Sequence, residues 1–187
     1  WYAPFLEVTT SGITIDPWST WLNNGGSALA FPYGYAMWLS FLPFTLFAKL
    51  AGLPVLYAYF ATLLAADFAL LVVLRKLIPR QQNLLLLAYW LSPIIVLASY
   101  ALGLNDLIPA LLLTCAIIFI RQVKPRLAGV FCALAISAKL SMIVALPFFL
   151  IYLLNNRALR QYLVAFVFGL SVTAFIFGLP FLLSSAA

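Results

Sequence analysis

Histidine is absent from this chain, and ionisable side chains of every kind are scarce: four acids and ten bases in 187 residues. The lack of histidine removes histidine metal sites and imidazole acid–base chemistry. Any catalysis must therefore use carboxylates, lysine or arginine, tyrosine, or a bound ion. Cysteine is almost missing as well, and Cys115 and Cys132 both lie inside apolar runs, so no disulfide framework is outlined. The acids are only Glu7, Asp16, Asp67 and Asp106. A net charge of +6 suggests nucleic acid only until the bases are located, because they punctuate apolar runs. No nucleic-acid partner is expected.

What fills the chain is hydrocarbon. With 66% hydrophobic residues and a mean hydropathy of +1.14, there is more apolar surface than a soluble core can hide. The runs are continuous rather than alternating, and an open sheet cannot satisfy its backbone in lipid. The sequence predicts an all-α polytopic transmembrane helix bundle of about six spans, two of them short. Residues 1–187 form a single transmembrane domain, with an extracytoplasmic loop over 1–30, a juxtamembrane or re-entrant helix over 31–52 and the bundle over 54–183. Individual spans are expected at 54–74, 84–101, 107–120, 127–138, 141–154 and 161–183. The start at Trp1-Tyr2 and the apolar end "GLPFLLSSAA" read as a fragment of a longer protein. Its partner is the lipid bilayer, and loops carrying Gln, Leu and Arg suggest a bacterial inner membrane.

Charge sets the orientation. Eight of the ten bases fall in three short loops, at Arg75, Lys76 and Arg80, at Arg121, Lys124 and Arg126, and at Arg157 and Arg160. Basic loops stay cytoplasmic, so the loop holding Asp106 faces out. Between the second and third basic loops the chain must cross an even number of times, which makes 127–154 two short helices with Lys139 at their outer turn. Twelve residues rise roughly 18 Å against a hydrocarbon core of about 30 Å, so Lys139 lies in a depression below the outer surface. Residues 31–52 carry Pro32, Gly34, Trp38 and Pro43, which favour a surface or re-entrant helix. A surface helix keeps Asp16 outside with Asp106 and Lys139, whereas a true span puts it on the cytoplasmic side.

The succession "DPWSTWLNNGGSALAFPYGYAMWLSFLP", then "GLND" opening a span, then "LAGVFCALAISAKLSMIVALPFFLIYLL" resembles the integral-membrane GT-C glycosyltransferases. The resemblance implies a polyprenyl-phosphate sugar donor, a glycan, lipid or protein acceptor, and a first extracytoplasmic loop with juxtamembrane helices. It also implies an acidic base or metal ligand just ahead of an aromatic such as Tyr2. The chain starts at Trp1, so that acid is expected upstream of the fragment, with Asp16 as a secondary candidate.

Each candidate has two readings. Asp106, with Asn105, either caps the helix opening at Leu107 or orients an acceptor hydroxyl, or holds a divalent cation, Mg or Mn, near the donor phosphate. Asp16, before Pro17, is a turn or helix-start residue or a catalytic or metal-binding carboxylate. Lys139 snorkels to water or supplies the fixed positive charge that offsets a leaving phosphate. Tyr33 and Tyr35, like Trp18 and Trp21, are interface anchors or aromatic faces for a sugar. Glu7 reads as a solvated charge. Asp67 lies inside a span, nearer its inner face, where ionisable groups usually face a partner in the bundle; it reads as a structural or coupling residue, while the rival reading of a transporter or lipid flippase makes it part of a midplane site.

These placements predict one labelling pattern. With Cys115 and Cys132 replaced, single cysteines at Ser19, Leu104 and Ser141 should all react with a membrane-impermeant thiol reagent added outside intact cells; a silent Ser19 position would make 31–52 a true span.

Overall fold

The computed structural model describes residues 2–12 and 16–183, with 182 and 183 as backbone only. The expected loop over 1–30 thus includes Trp1 and residues 13–15, which lie outside the described residues. Helices are the only regular elements among the described residues. They are α1 Tyr2–Thr9, α2 Pro17–Asn23, α3 Tyr35–Leu50 and α4 Val55–Leu77, the bent pair α5 Gln82–Trp90 and α6 Pro93–Ala101, α7 Leu107–Arg121, α8 Pro125–Ala138, α9 Leu146–Asn155 and α10 Leu163–Leu183.

The chain is a helical membrane bundle, and α4 shows why. Pro54 precedes it, Arg75 and Lys76 occupy its last turn, where bases complement the helix dipole, and its 23 residues rise about 34 Å. Residues Tyr59, Thr62, Leu63, Ala66, Asp67 and Leu70 form its buried stripe, while Leu64 and Phe68 face outward. By length and apolar character α4 and the helix Arg160–Phe181 can cross a membrane, and the α5–α6 pair is a third crossing if taken as one. The number read from sequence, about six, also counts α7, α8 and the stretch Leu140–Asn155, each of 10–17 residues. They are short because polar turns at Gln122–Lys124 and Lys139 interrupt the apolar run.

The α5–α6 pair bends by 41° at Leu91-Ser92, since Pro93 has no N–H to continue the helix. Each arm ends in a wide turn, with Leu91 N–H to Leu86 C=O at 3.0 Å and Leu102 N–H to Leu97 C=O at 2.9 Å. Gly103, at φ +66°, then reverses the chain, a conformation glycine adopts without steric cost.

α7 and α8 form an antiparallel hairpin about a three-residue turn, and α8 packs between α7 and α10. Its face toward α10 is cut down to glycine. A Cβ on Gly129 would stand 2.1 Å from the Phe166 carbonyl, and one on Gly169 2.2 Å from that of Arg126. Cys132, Ala116, Phe166 and Leu153 fill the adjoining core.

At the other end the N-terminal residues close over the bundle as an aromatic cap. Phe5 stacks on Phe31 at 4.4 Å, and Tyr2 stacks on Tyr59 of α4 at 5.7 Å. The tryptophans are half-buried, with Trp18 Nε1 donating to the Phe31 carbonyl at 3.1 Å and Trp21 Nε1 to that of Ser27 at 2.8 Å. α3, with 16 residues, docks its start on α8: Ala36 N–H meets Ser137 Oγ at 3.3 Å, and a Cβ on Gly34 would stand 2.1 Å from the Ser137 carbonyl.

Replacing Gly129 with Ala should destabilise the protein by about 1–3 kcal/mol, the usual cost of overpacking. Gly178→Ala, on the same helix as Gly169 but with open space around its Cβ, should leave stability unchanged; an unfolding titration in denaturing detergent compares the two.

Candidate functional site

The outer end of the α7–α8 hairpin brings opposite charges together. Asp106 immediately precedes α7, where the helix N-terminus favours an anion, and Lys139 immediately follows α8, where the C-terminus favours a cation. Antiparallel packing sets these two termini side by side, and Lys139 Nζ donates to Asp106 Oδ1. The pair is accessible, with Lys139 30% and Asp106 51% exposed.

The capping reading of Asp106 does not hold. It occupies the N-cap position, yet its side chain makes no cap hydrogen bond, because the carboxylate turns to Lys139. Asp16 behaves in the opposite way: Oδ1 accepts the Ser19 N–H at 3.0 Å and Oδ2 the Ser19 hydroxyl at 2.5 Å, capping α2 as a helix-start residue does.

Asn105 is 1% exposed. Its side-chain amide lies against the Tyr33 hydroxyl, yet Nδ2 makes no hydrogen bond to any described residue. A buried amide donor without a partner costs about 1–3 kcal/mol and calls for an explanation. Beside it the Tyr33 hydroxyl meets that of Tyr2 at 3.0 Å. Burial, then the Tyr2 hydroxyl, and more weakly the Asp106 charge, hold the Tyr33 phenol well above its ordinary range. Tyr33 is therefore a hydroxyl at physiological pH, a donor or acceptor and not a base.

Tyr35, two residues on, belongs to a different neighbourhood. It packs edge-on against Trp18 at 4.7 Å and Phe181 at 4.9 Å, and burial, with the Asp16 charge, pushes its phenol up to about 12. Thus Lys139, Asp106, Asn105 and Tyr33 form one cluster, while Asp16 and Tyr35 form another across the turn. Among the described residues no three His, Cys, Asp or Glu side chains approach closely enough to hold a metal ion. Asp106 and Asp16 have separate partners, Lys139 for the one and Ser19 for the other.

Next to the cluster lies an apolar groove of about 450 Å³ between the Phe31–Gly34 turn, α8 and α10. Tyr33 lines it, as do Ser137 and Leu140, which flank Ala138-Lys139, with Leu170 and Phe177 as its opposite wall. Neither the groove nor Tyr2 was legible as part of a site from sequence: the walls are ordinary apolar residues far apart in the chain, and only their contacts join them.

The helical bundle thus carries at one end an accessible cation–carboxylate pair, a buried amide beside it and an apolar groove alongside. Residues 31–187 match the model of glycosyltransferase family 87, and the chain belongs to that family of membrane glycosyltransferases of the GT-C type. No curated protein and no solved structure matches it. The transporter reading loses its ground, since the family is one of enzymes and both oxygens of Asp67 are taken by tyrosine hydroxyls.

An ion pair this exposed contributes little to stability. Asp106→Asn and Lys139→Met should each shift the unfolding free energy by less than about 1 kcal/mol; a larger loss in a denaturing-detergent titration would mark the pair as a structural strut.

Proposed function

We propose that the protein transfers a sugar from a polyprenyl-phosphate donor to an acceptor hydroxyl on the extracytoplasmic side of the membrane. The observation that carries this reading is the accessible Lys139–Asp106 pair set beside an apolar groove of about 450 Å³, since a polyprenyl phosphate joins one anionic group to a long apolar tail. The tail lies in the groove and the phosphate on Lys139. Topology supports the sidedness, because the basic loops lie at the opposite ends of α7 and α8.

The chemistry follows from the residues. The phosphate competes with Asp106 for Lys139, and the freed carboxylate turns to the acceptor. The acceptor oxygen attacks the anomeric carbon, its proton passes to Asp106, and the bond from that carbon to the phosphate oxygen breaks with the electron pair left on phosphate. Lys139 offsets the charge that develops there. The Asn105 amide, buried and unpartnered, and the Tyr33 hydroxyl hydrogen-bond sugar or phosphate oxygens. Tyr35 packs behind the groove, against Trp18 and Phe181 of its wall, and with Asp16 would serve the acceptor.

Using full-length protein and a radiolabelled polyprenyl-phosphate hexose, Lys139→Ala should lower transfer by at least about a hundredfold, the usual loss on removing an electrostatic stabiliser, with the protein still in the membrane. Full activity would end the role of Lys139, and transfer from a nucleotide sugar in place of the prenyl donor would overturn the donor assignment.

A further inference from the structure

Asp67 sits at the middle of α4 and is 5% exposed, where hydrocarbon surrounds the helix. A carboxyl group there is expensive unless it serves a purpose; apolar packing would join α4 to its neighbours at lower cost. Its two oxygens are divided between two hydroxyls. Tyr89 donates to Oδ1 at 2.5 Å and Tyr100 to Oδ2 at 2.8 Å. These tyrosines stand on opposite sides of the Pro93 break, Tyr89 on α5 and Tyr100 on α6. One side chain therefore ties both arms of a helix pair bent by 41° to α4.

Tyr100 is close to the site in the chain. After it come Ala101, Leu102, the left-handed Gly103, Leu104, and then Asn105 and Asp106. The same α4 holds this segment a second time, since Tyr59 donates its hydroxyl to the Gly103 carbonyl at 2.5 Å. Tyr59 precedes Asp67 by eight residues, about 12 Å along the helix. The end of α6 is thus fastened to α4 at two heights, by Asp67 below and Tyr59 above, just before the chain delivers Asp106 to Lys139. Between those fastenings the backbone is irregular: a wide turn closed by Leu102 N–H on Leu97 C=O at 2.9 Å and Leu104 N–H on Ala98 C=O at 2.9 Å. Such a segment has no regular helix to fix its height, and apolar packing allows sliding that a two-point hydrogen bond does not.

We propose that Asp67 is a positioning residue for glycosyl transfer: through Tyr100, with Tyr89 fixing the bend, it sets the height of the loop that presents Asn105 and Asp106 to Lys139. The proposal rests on the site assigned above. It separates Asp67 from proton or solute movement, because the carboxyl group acts as a fixed acceptor of two hydrogen bonds.

The test uses full-length protein with Cys115 and Cys132 replaced and spin labels at Leu104 and Ser141, on the two sides of the Asp106–Lys139 contact. Asp67→Leu and Tyr100→Phe should broaden the distance distribution between the labels, and Leu64→Val, on the outward face of α4, should not. With the polyprenyl-phosphate hexose the same two variants should lose about ten- to a hundredfold in kcat, as misplacement of about 1 Å does, with the donor KM changed much less because Lys139 remains. Asp67→Asn, which keeps one acceptor oxygen, should recover part of the loss. Tyr100→Phe removes a single hydroxyl and covers the case in which Asp67→Leu fails to fold. An unchanged distance distribution overturns the proposal, as does a broadened one with kcat intact. Full transfer by Asp106→Asn and Lys139→Ala, by contrast, sinks the site assignment and leaves the distance measurement standing.

Discussion

The close approach of α8 to its neighbours is the constraint on which the rest depends. Gly129 and Gly169 let α8 and α10 meet at backbone distance, and Gly34 lets the turn before α3 press on the Ser137 carbonyl near the far end of the same helix. In lipid there is no hydrophobic force to drive helices together, so small residues and close van der Waals contact take its place. Because α8 is fixed along its length, its last carbonyls and Lys139 have one location. The groove, the aromatic cap and the loop bearing Asp106 are all arranged around that location.

Scarcity of charge makes the electrostatics readable. Glu7 is exposed, and its backbone carbonyl receives Lys49 Nζ at 2.8 Å, linking α1 to the end of α3. Asp16 caps α2, Asp67 holds two tyrosines and Asp106 pairs with Lys139. Two of these four acids serve local or interhelical structure through hydrogen bonds that saturate them. Only Asp106 combines half exposure with a partner that an incoming anion can displace. That difference in environment, and not residue type, sets Asp106 apart from the other acids.

The sequence located most elements closely where composition changes sharply. The span expected over 54–74 is α4 Val55–Leu77, and the one over 107–120 is α7 Leu107–Arg121; basic residues and Asn-Asp mark these ends unmistakably. Lys139 was legible as an outer turn because charge parity demands one there. What it could not supply was long-range contact. The partners of Asp67 lie 22 and 33 residues away, and tyrosines in apolar helices look the same whether they face lipid or a carboxylate. The tryptophans before α3 look like surface anchors by composition, and their hydrogen bonds to the Phe31 and Ser27 carbonyls could not be read from it. Asp106 was read as a cap because capping is a local rule; a lysine 33 residues on outcompetes it.

For the polyprenyl-phosphate donor proposed above, the groove beside Leu140, a residue 73% exposed, has a kinetic consequence. An apolar tail lodged between α8 and α10 arrives by diffusion within the plane of the bilayer, not from water. Occupancy then follows the mole fraction of that lipid among its neighbours, and adding inert phospholipid at a constant amount of substrate dilutes the enzyme's supply. For such a protein, saturation is a property of the surface and not of the volume around it.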